Sequence, residues 1–306
     1  MAVTAALVKQ LRDTSGAGMM DCKKALEETH GDIDGAIDWL RTKGLATAAK
    51  KSGRVASEGL VAIHVADTSA AIIELNAETD FVSRNDDFQS LALNLAKLAN
   101  NAKDIATLNS LPFPDTERTV EEEITHNIAT IGENMRLRRM KNIKVDKGCV
   151  VSYIHNATAD GMGRIGVLVA IDSDAEKETL VSLGKQIAMH VAATKPVALS
   201  VESLDPKIVQ REREVLIEQA KESGKPQEIA EKMVEGRIRK YYQEVVLLEQ
   251  TFVIDGESKV GDVIKKVASS CGSDISLKEF CLFILGDGIE KEQTDFAAEV
   301  AAQLNK

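Results

Sequence analysis

The stretch AIIELNAETDFVSRNDDF, residues 71–88, joins three local patterns in a row. Residues 71–76 are a mostly apolar run with two isoleucines, which is typical of a strand. Asp86 begins a segment whose apolar residues recur at helical spacing, which predicts a helix. The short turn between them carries Phe81 directly after Asp80. The stretch therefore predicts an aromatic side chain in a short turn between a strand and a helix.

A large aromatic side chain in a short turn needs a physical reason, because turns normally lie on the surface. In one interpretation Phe81 folds back into the core of its own chain. In the other it projects from the surface and contacts another protein. Spacing alone favours the first interpretation, and the residues of the turn leave both open.

Composition limits the function classes. The chain has 306 residues, enough for two or three domains, and 44% of them are hydrophobic, as in an ordinary soluble protein. The net charge of −10 argues against direct nucleic-acid binding through a broad basic face. Aromatic residues make up only 4%, so there is little material for stacking on bases.

Cysteine usage and hydropathy predict a cytoplasmic protein. The four cysteines are widely spread and form no C-x-x-C pair, which indicates free thiols in a reducing compartment. The first residues do not read as a secretory signal, and no apolar run approaches the roughly 20 residues that a membrane span needs. We therefore expect no membrane association.

The unit of hairpin and helix is predicted twice. In the first copy, the β-branched residues at 61, 63 and 65 alternate with alanine or histidine at 62, 64 and 66. A turn follows at 67–69, and the strand at 71–76 leads to the helix that begins near Asp86. Residues 120–139 are predicted to form a helical connection to the second copy.

In the second copy a strand begins at Cys149, and residues 156–163 are predicted to form a long turn. An apolar run at 165–169 follows, then a helix with one apolar face: Leu180, Leu183, Ile187 and Val191. Two such copies predict two related α+β subdomains.

Helical segments flank this core. Residues 1 to about 44 are predicted to form three short helices, with Gly44 ending the third. Residues 45–56 are predicted to be a linker, which partial helix would also suit. Asp205-Pro206 is predicted to begin a helix, and Gly224-Lys225-Pro226 to separate it from a second one, which together make a protruding antiparallel hairpin. A strand at 280–285 and a terminal helix capped at Thr294 complete the prediction.

The predicted fold class is α+β, with a small three-helix amino-terminal domain, a core of two related hairpin-plus-helix subdomains, a protruding antiparallel helical hairpin and a carboxy-terminal helix. The predicted division is 1–56 for the three-helix domain and linker, 57–145 for the first core subdomain, 146–204 for the first part of the second, 205–250 for the helical hairpin, and 251–306 for the return to the core and the terminal helix.

Motifs for covalent chemistry are not supported. Residues 161–166 match G-x-G-x-x-G, but they stand between two predicted strands rather than between a strand and a helix, so they indicate turn chemistry. The five histidines lack metal-ligand spacing, and we expect no metal, no cofactor and no catalytic residue set. His155 is kept as a candidate because it is predicted to end a strand just before the long turn.

Several segments together resemble one family, bacterial elongation factor Ts, the guanine-nucleotide exchange factor of elongation factor Tu. The amino-terminal segment 14–26 (TSGAGMMDCKKAL) and the segment 78–82 (ETDFV) resemble its two most specific signatures. Residues 187–193, 224–226 and 288–291 are similar to later segments of the family. The resemblance extends over essentially the whole chain.

The resemblance implies a mechanism and a site. The three-helix domain would be of the UBA-like type, and the partner would be the GTPase elongation factor Tu. The segment that would face the GTPase domain and displace its Mg²⁺ comprises Thr79, Asp80, Phe81 and Val82. Further partner contacts would come from Met19, Met20, Lys23 and His155. The terminal helix from Thr294 would touch the same domain. Phe296 falls on the apolar face of that predicted helix, which by itself favours a packing role.

Two further matters stay open at the level of the sequence. The complex could be a 2:2 heterotetramer, joined through the helical hairpin or the core. A function from a different class is a non-catalytic scaffold or adaptor that uses the three-helix domain to hold several partners.

Overall fold

The structure, a computed structural model, describes residues 3–15, 17–222 and 227–290, and for residues 221, 222 and 227 only the backbone. Its helices are α1 (Ala5–Ser15), α2 (Met19–Glu28), α3 (Ile33–Lys51), α4 (Asp86–Ala99), α5 (Ile105–Ser110), α6 (Val120–Ile131), α7 (Lys177–Thr194), α8 (Pro206–Glu222), α9 (Gln227–Val245) and α10 (Val260–Cys271). Its strands are β1 (Glu58–Val65), β2 (Ser69–Ala77), β3 (Met135–Lys144), β4 (Cys149–Ala159), β5 (Met162–Ser173) and β6 (Ile275–Ile284). The predicted α+β class is confirmed.

The six strands form two antiparallel groups of three. β2 pairs with β1 and β3, and β5 pairs with β4 and β6. The groups are joined where Val61 and Ala62 of β1 pair with Gly163 and Met162 of β5. Side chains from all six strands share one buried cluster, which shows that one face of each group packs against the other group.

Helices cover the two outer faces of this sandwich. α4 packs against β1 and β2, where Phe88, Leu91 and Leu95 join the cluster that holds Ile73 and Leu75. α7 packs against β4 and β5 through all four of the apolar residues predicted for its face. Each strand can serve both layers because successive side chains point to opposite faces. The predicted order of hairpin and following helix is thus present twice.

The amino-terminal helices differ from the prediction at Gly44, which does not end a helix. α3 continues to Lys51, so the segment predicted as a linker is largely helical. Gly44 is buried, and a Cβ atom at this position would stand 3.3 Å from the Cβ of Ala129 on α6. The missing side chain lets two helices approach closely, and this packing outweighs the low helix propensity of glycine.

The helical hairpin is formed by α8 and α9, and its own small core contains Leu216, Ala220, Val234 and Ile238. At its base the Val197 N–H donates to the Val245 carbonyl at 2.8 Å, and Ala198 bridges to Val246. The tripeptide predicted to separate the two helices, Gly224-Lys225-Pro226, lies outside the described residues.

The helical connection predicted for 120–139 is wrong in its second half. α6 begins with a capping box, in which Thr119 and Glu122 bond to each other's backbone N–H, and it ends at Gly132 in the left-handed conformation (φ 87°). Strand β3 follows, and its arginines lie on a partly exposed surface while Met135 and Leu137 are buried.

The long turn predicted for 156–163 is also wrong. β4 runs on to Ala159 and β5 begins at Met162, so the chain reverses within Asp160-Gly161. Gly161 supplies the positive φ of 68° that this tight turn requires. Asn156 and Thr158 of the predicted turn instead lie on the exposed end of β4, with a bulge between Ala157 and Ala159, whereas β5 begins with the buried Met162.

The strand predicted at 280–285 is confirmed as the second half of β6, whereas helix α10 before it was not predicted. The turn after β6 is tied to the first half of the chain by the fully buried Glu74, whose Oε1 accepts the Gly286 N–H at 2.8 Å. Arg138 and Arg139 both pair with the same carboxylate.

The predicted terminal helix from Thr294, with Phe296, lies outside the described residues. The five-segment division of the chain stays a prediction.

All four cysteines are free, as predicted. Burial raises the pKa of the Cys281 thiol to about 12, because an apolar environment disfavours the thiolate. None of the helices in the described part of the chain is long and apolar enough to cross a membrane.

Candidate protein-binding site

The segment from Glu78 to Asn85 is an ordered turn. It leaves the end of β2, forms a single turn of 3-10 helix over Val82–Arg84, and passes into α4 at Asn85. The Arg84 N–H donates to the Phe81 carbonyl at 3.1 Å, and the side chain of Asn85 caps α4 by accepting the Phe88 N–H at 3.0 Å. Local hydrogen bonds therefore define the path of the chain on both sides of Phe81.

Phe81 projects into solvent from this turn. Its side chain is 81% exposed, while the next residue, Val82, is 6% exposed and belongs to the core cluster beneath α4. The interpretation that spacing favoured, in which Phe81 folds into its own core, is wrong. Val82 fills that role, and one apolar side chain from the turn is sufficient to anchor it.

The residues before Phe81 are held by the turn between α6 and β3. The Thr79 N–H donates to Glu133 Oε2 at 2.9 Å, and the Thr79 hydroxyl donates to Glu133 Oε1 at 2.6 Å. Asp80 is exposed, and its carbonyl accepts both the N–H (3.2 Å) and the hydroxyl (2.6 Å) of Ser83. Asp80 and Phe81 are thus two adjacent exposed residues on a backbone held by hydrogen bonds.

A second apolar surface lies at the start of α2. Met20 is 75% exposed and Met19 is 44% exposed, and Lys23 one turn later is exposed and forms a loose ion pair with Glu27 at 3.8 Å. The opposite face of the same helix is buried and packs in the three-helix cluster through Cys22, Ala25 and Leu26. Met19, Met20 and Lys23 are therefore surface residues.

His155 lies within β4 and not at its end, which corrects the sequence expectation. Its ring is exposed, and Nδ1 lies 3.0 Å from the hydroxyl oxygen of Tyr153, two residues earlier on the same face. The following residue, Asn156, has a positive φ of 53°, which marks the start of the irregular part of the strand. His155 is thus an exposed strand residue placed before a bulge.

The predicted residues therefore stand on three different elements: helix α2, the turn after β2, and strand β4. The first two are connected through α3, because α2 packs on α3 and Arg54, just after α3, pairs with Glu78. His155 belongs to the other group of strands.

Residues that sequence reasoning missed are Glu133 and Asn134. They brace the turn from a position far away in the sequence, and nothing in the local pattern around them indicates this contact. Only Gly132, a glycine directly after a helical pattern, could have marked the end of α6 and the start of a structured turn.

The structure also bears on small-ligand chemistry. Among the described residues, no group of three or more His, Cys, Asp and Glu side chains is placed to hold a metal ion. Of the G-x-G-x-x-G segment, only Gly161 lies in the turn between β4 and β5, as predicted, whereas residues 162–166 belong to strand β5. A Cβ atom at Gly166 would stand 2.6 Å from Val61 Cγ1 and 2.8 Å from Ile72 Cδ1, so this glycine serves contact between the two strand groups.

Comparisons with known proteins agree on one family. The family model described as elongation factor TS matches residues 78–287. The chain is 59% identical to elongation factor Ts of Rhodospirillum rubrum over 99% of both chains. It is 56% identical to elongation factor Ts of Rhodospirillum centenum over 98% of both chains. It is also 56% identical to elongation factor Ts of Gluconobacter oxydans, over 98% of this chain and 97% of that one.

Proposed function

The chain belongs to the elongation factor Ts family and is a translation elongation factor, and from this premise we propose that it binds elongation factor Tu–GDP and catalyses exchange of GDP for GTP. In this proposal it displaces the Mg²⁺ of the partner and loosens the nucleotide site, without covalent chemistry of its own. The observation that carries the proposal is the exposed ring of Phe81 on a braced turn, in a segment that the family model includes.

The free energies indicate how the work is divided. Exchange is a coupling between two binding sites, so a factor that weakens nucleotide binding is itself weakened by nucleotide to the same degree. A weakening of about 10,000-fold corresponds to about 5.5 kcal/mol. Burying one phenylalanine contributes only about 1.5–3 kcal/mol. Phe81 alone therefore does not account for exchange.

The larger contribution comes from the cation of the partner. A bound Mg²⁺ neutralises crowded phosphate charge, so its loss weakens nucleotide binding strongly. We assign to Phe81 the role of a wedge between side chains of the partner that moves the magnesium ligands out of position. Asp80, exposed beside it, holds the contact. Met19, Met20 and Lys23 add affinity from α2, and His155 adds a contact from β4.

The decisive experiment is release of a fluorescent GDP analogue from purified elongation factor Tu, followed by stopped flow at increasing concentrations of this protein. We expect the rate to rise and saturate, and to rise less when the free Mg²⁺ concentration is high. A release rate that does not depend on the concentration of this protein would contradict the proposal.

The adaptor function is favoured by one observation, the exposed Met19 and Met20 on a three-helix unit. It differs from exchange in its response to nucleotide. If the protein is an exchange factor, its complex with elongation factor Tu dissociates when GDP and Mg²⁺ are added together. An adaptor complex would be indifferent to both.

The mass of the purified complex in solution would separate a 1:1 assembly from the 2:2 heterotetramer that we include in the proposal.

A further inference from the structure

The three residues of the turn between α6 and β3 bind two different parts of the chain. Gly132 accepts a hydrogen bond at its carbonyl from Lys51 Nζ, at the end of α3. Glu133 accepts two hydrogen bonds from Thr79. The Asn134 N–H donates to Glu78 Oε1 at 2.6 Å. One short turn thus contacts both the end of the amino-terminal helices and the start of the segment that presents Phe81.

The two contacted parts are also joined to each other. Arg54, just after α3, pairs with Glu78, with its Nη1 3.2 Å from Oε2, and the side-chain amide of Asn134 donates to the Arg54 carbonyl at 2.7 Å. Asn134 is 8% exposed and Glu78 is largely shielded, so these bonds are partly protected from competing water. The contacts form a closed set between three chain segments.

Within this set, Glu133 is the residue that holds Thr79 directly. It accepts a backbone N–H and a hydroxyl with its two carboxylate oxygens, and hydrogen bonds to a charged acceptor are stronger than neutral ones. Thr79 stands two residues before Phe81, and the 3-10 turn that follows is closed by its own hydrogen bonds. The backbone from which the Phe81 side chain projects is therefore held at Thr79.

We propose that the turn Gly132-Glu133-Asn134 is a positioning device, with Glu133 as its main residue, which fixes the Phe81 segment against the end of α3 so that both meet the partner as one rigid unit. The inference rests on the proposed exchange function and adds to it a residue that need not touch the partner. A wedge acts through its position at the moment the cation is displaced. Loss of that position should lower the maximal rate more than it weakens binding.

The test compares Glu133→Ala, Glu133→Gln and a charge-matched control, Glu117→Ala, whose carboxylate is exposed on the loop before α6. Release of the GDP analogue is measured over a full range of factor concentrations. For Glu133→Ala we expect the saturating rate to fall at least about threefold while the half-saturating concentration changes less than about twofold. Glu133→Gln keeps one acceptor oxygen and should fall between Glu133→Ala and the unchanged protein.

A second readout does not involve the partner. Hydrogen exchange at the Thr79 amide should be at least about tenfold faster in Glu133→Ala than in Glu117→Ala, because the acceptor of that N–H is gone. Equal exchange at Thr79 in the two variants, or an unchanged saturating rate in Glu133→Ala, would overturn the positioning role. If the unchanged protein itself fails to accelerate GDP release, the proposed function fails instead, and the amide measurement still reports on the bracing.

Discussion

Phe81 and Val82 are neighbours in the chain that face opposite environments, with 81% of the first side chain exposed and 6% of the second. Both are apolar, and both belong to the same turn between β2 and α4. Val82 joins the core cluster and Phe81 does not. Val82 therefore anchors the turn in the core, and Phe81 stays available for contact with another protein.

This division predicts opposite effects of two adjacent substitutions. Phe81→Ala should leave the free energy of unfolding unchanged but slow GDP release from elongation factor Tu several-fold, because the ring touches little of its own chain. Val82→Ala should lower the free energy of unfolding by about 2 kcal/mol through a cavity in the core. Urea unfolding and stopped flow measure the two effects. A rate unchanged by Phe81→Ala would refute the wedge.

Gly166 is predicted to be required for packing of the two strand groups. Gly166→Ala should cost about 1–3 kcal/mol of unfolding free energy, because its Cβ would stand too close to Val61 and Ile72. The control is Gly236→Ala in α9, where a Cβ meets nothing within 4 Å and should stabilise the helix by about 0.5–1 kcal/mol. Similar changes in both variants, measured by urea unfolding, would contradict the packing argument.

Glu74 is predicted to be the ion-pair residue on which stability depends most. It is fully buried, whereas its partners Arg138 and Arg139 are partly exposed, so Glu74→Ala leaves two arginines without their carboxylate and should cost about 3 kcal/mol. The matched control is Glu279→Ala, which breaks an exposed pair with Lys141 at 2.6 Å and should cost less than about 1 kcal/mol. Equal losses in urea unfolding would show that burial of Glu74 does not matter.

Stability should fall in mild acid partly because of His190. This residue is fully buried, its Nδ1 accepts the Val253 N–H at 3.2 Å, and its Nε2 lies 2.9 Å from Gln250 Oε1. Burial lowers the pKa of His190, although the bond to Gln250 acts in the opposite direction. The unfolded chain therefore binds more protons than the folded chain between the lowered pKa and about 6.5, the ordinary value for histidine.

This difference in bound protons determines how stability changes with pH. The stabilisation is fully present above about pH 6.5 and is lost as the pH falls toward the lowered pKa, by at most about 1.4 kcal/mol per pH unit for one proton. His126 contributes in the same direction, since burial lowers its pKa too. Urea unfolding at about pH 7.5 and about pH 5.5 should show a smaller difference for His190→Gln than for the control His155→Gln. An identical pH dependence in both variants would contradict the assignment.

Much of the fold could be predicted because its elements follow simple periodic patterns. Val61, Ile63 and Val65 alternate as a strand requires, and Leu180, Leu183 and Ile187 recur as a helix requires. β3 was missed because its apolar alternation is short and its other residues are arginines and lysines that also suit a helix. Gly44 was misread as a helix end because the reason for it, Ala129 on α6, is distant in the sequence.

The location of the site could be predicted from the sequence, but the contacts that hold it in place could not. The segment around Phe81 stands out by its aromatic residue, yet nothing local decides whether Phe81 or Val82 enters the core. That choice depends on the space beneath α4, which the tertiary fold sets. The bracing by Glu133 joins residues 54 positions apart, so no local pattern contains it.

The closed base of the helical hairpin has a consequence for how this chain can vary. The chain departs at Ala198 and comes back at Val246, and these two residues lie side by side. Extra or missing turns in α8 and α9 therefore leave the spacing of the two attachment points unchanged, and the closure entropy of a longer excursion grows only slowly. The length of the hairpin can therefore change, in evolution or by engineering, without a change in the strands of the core.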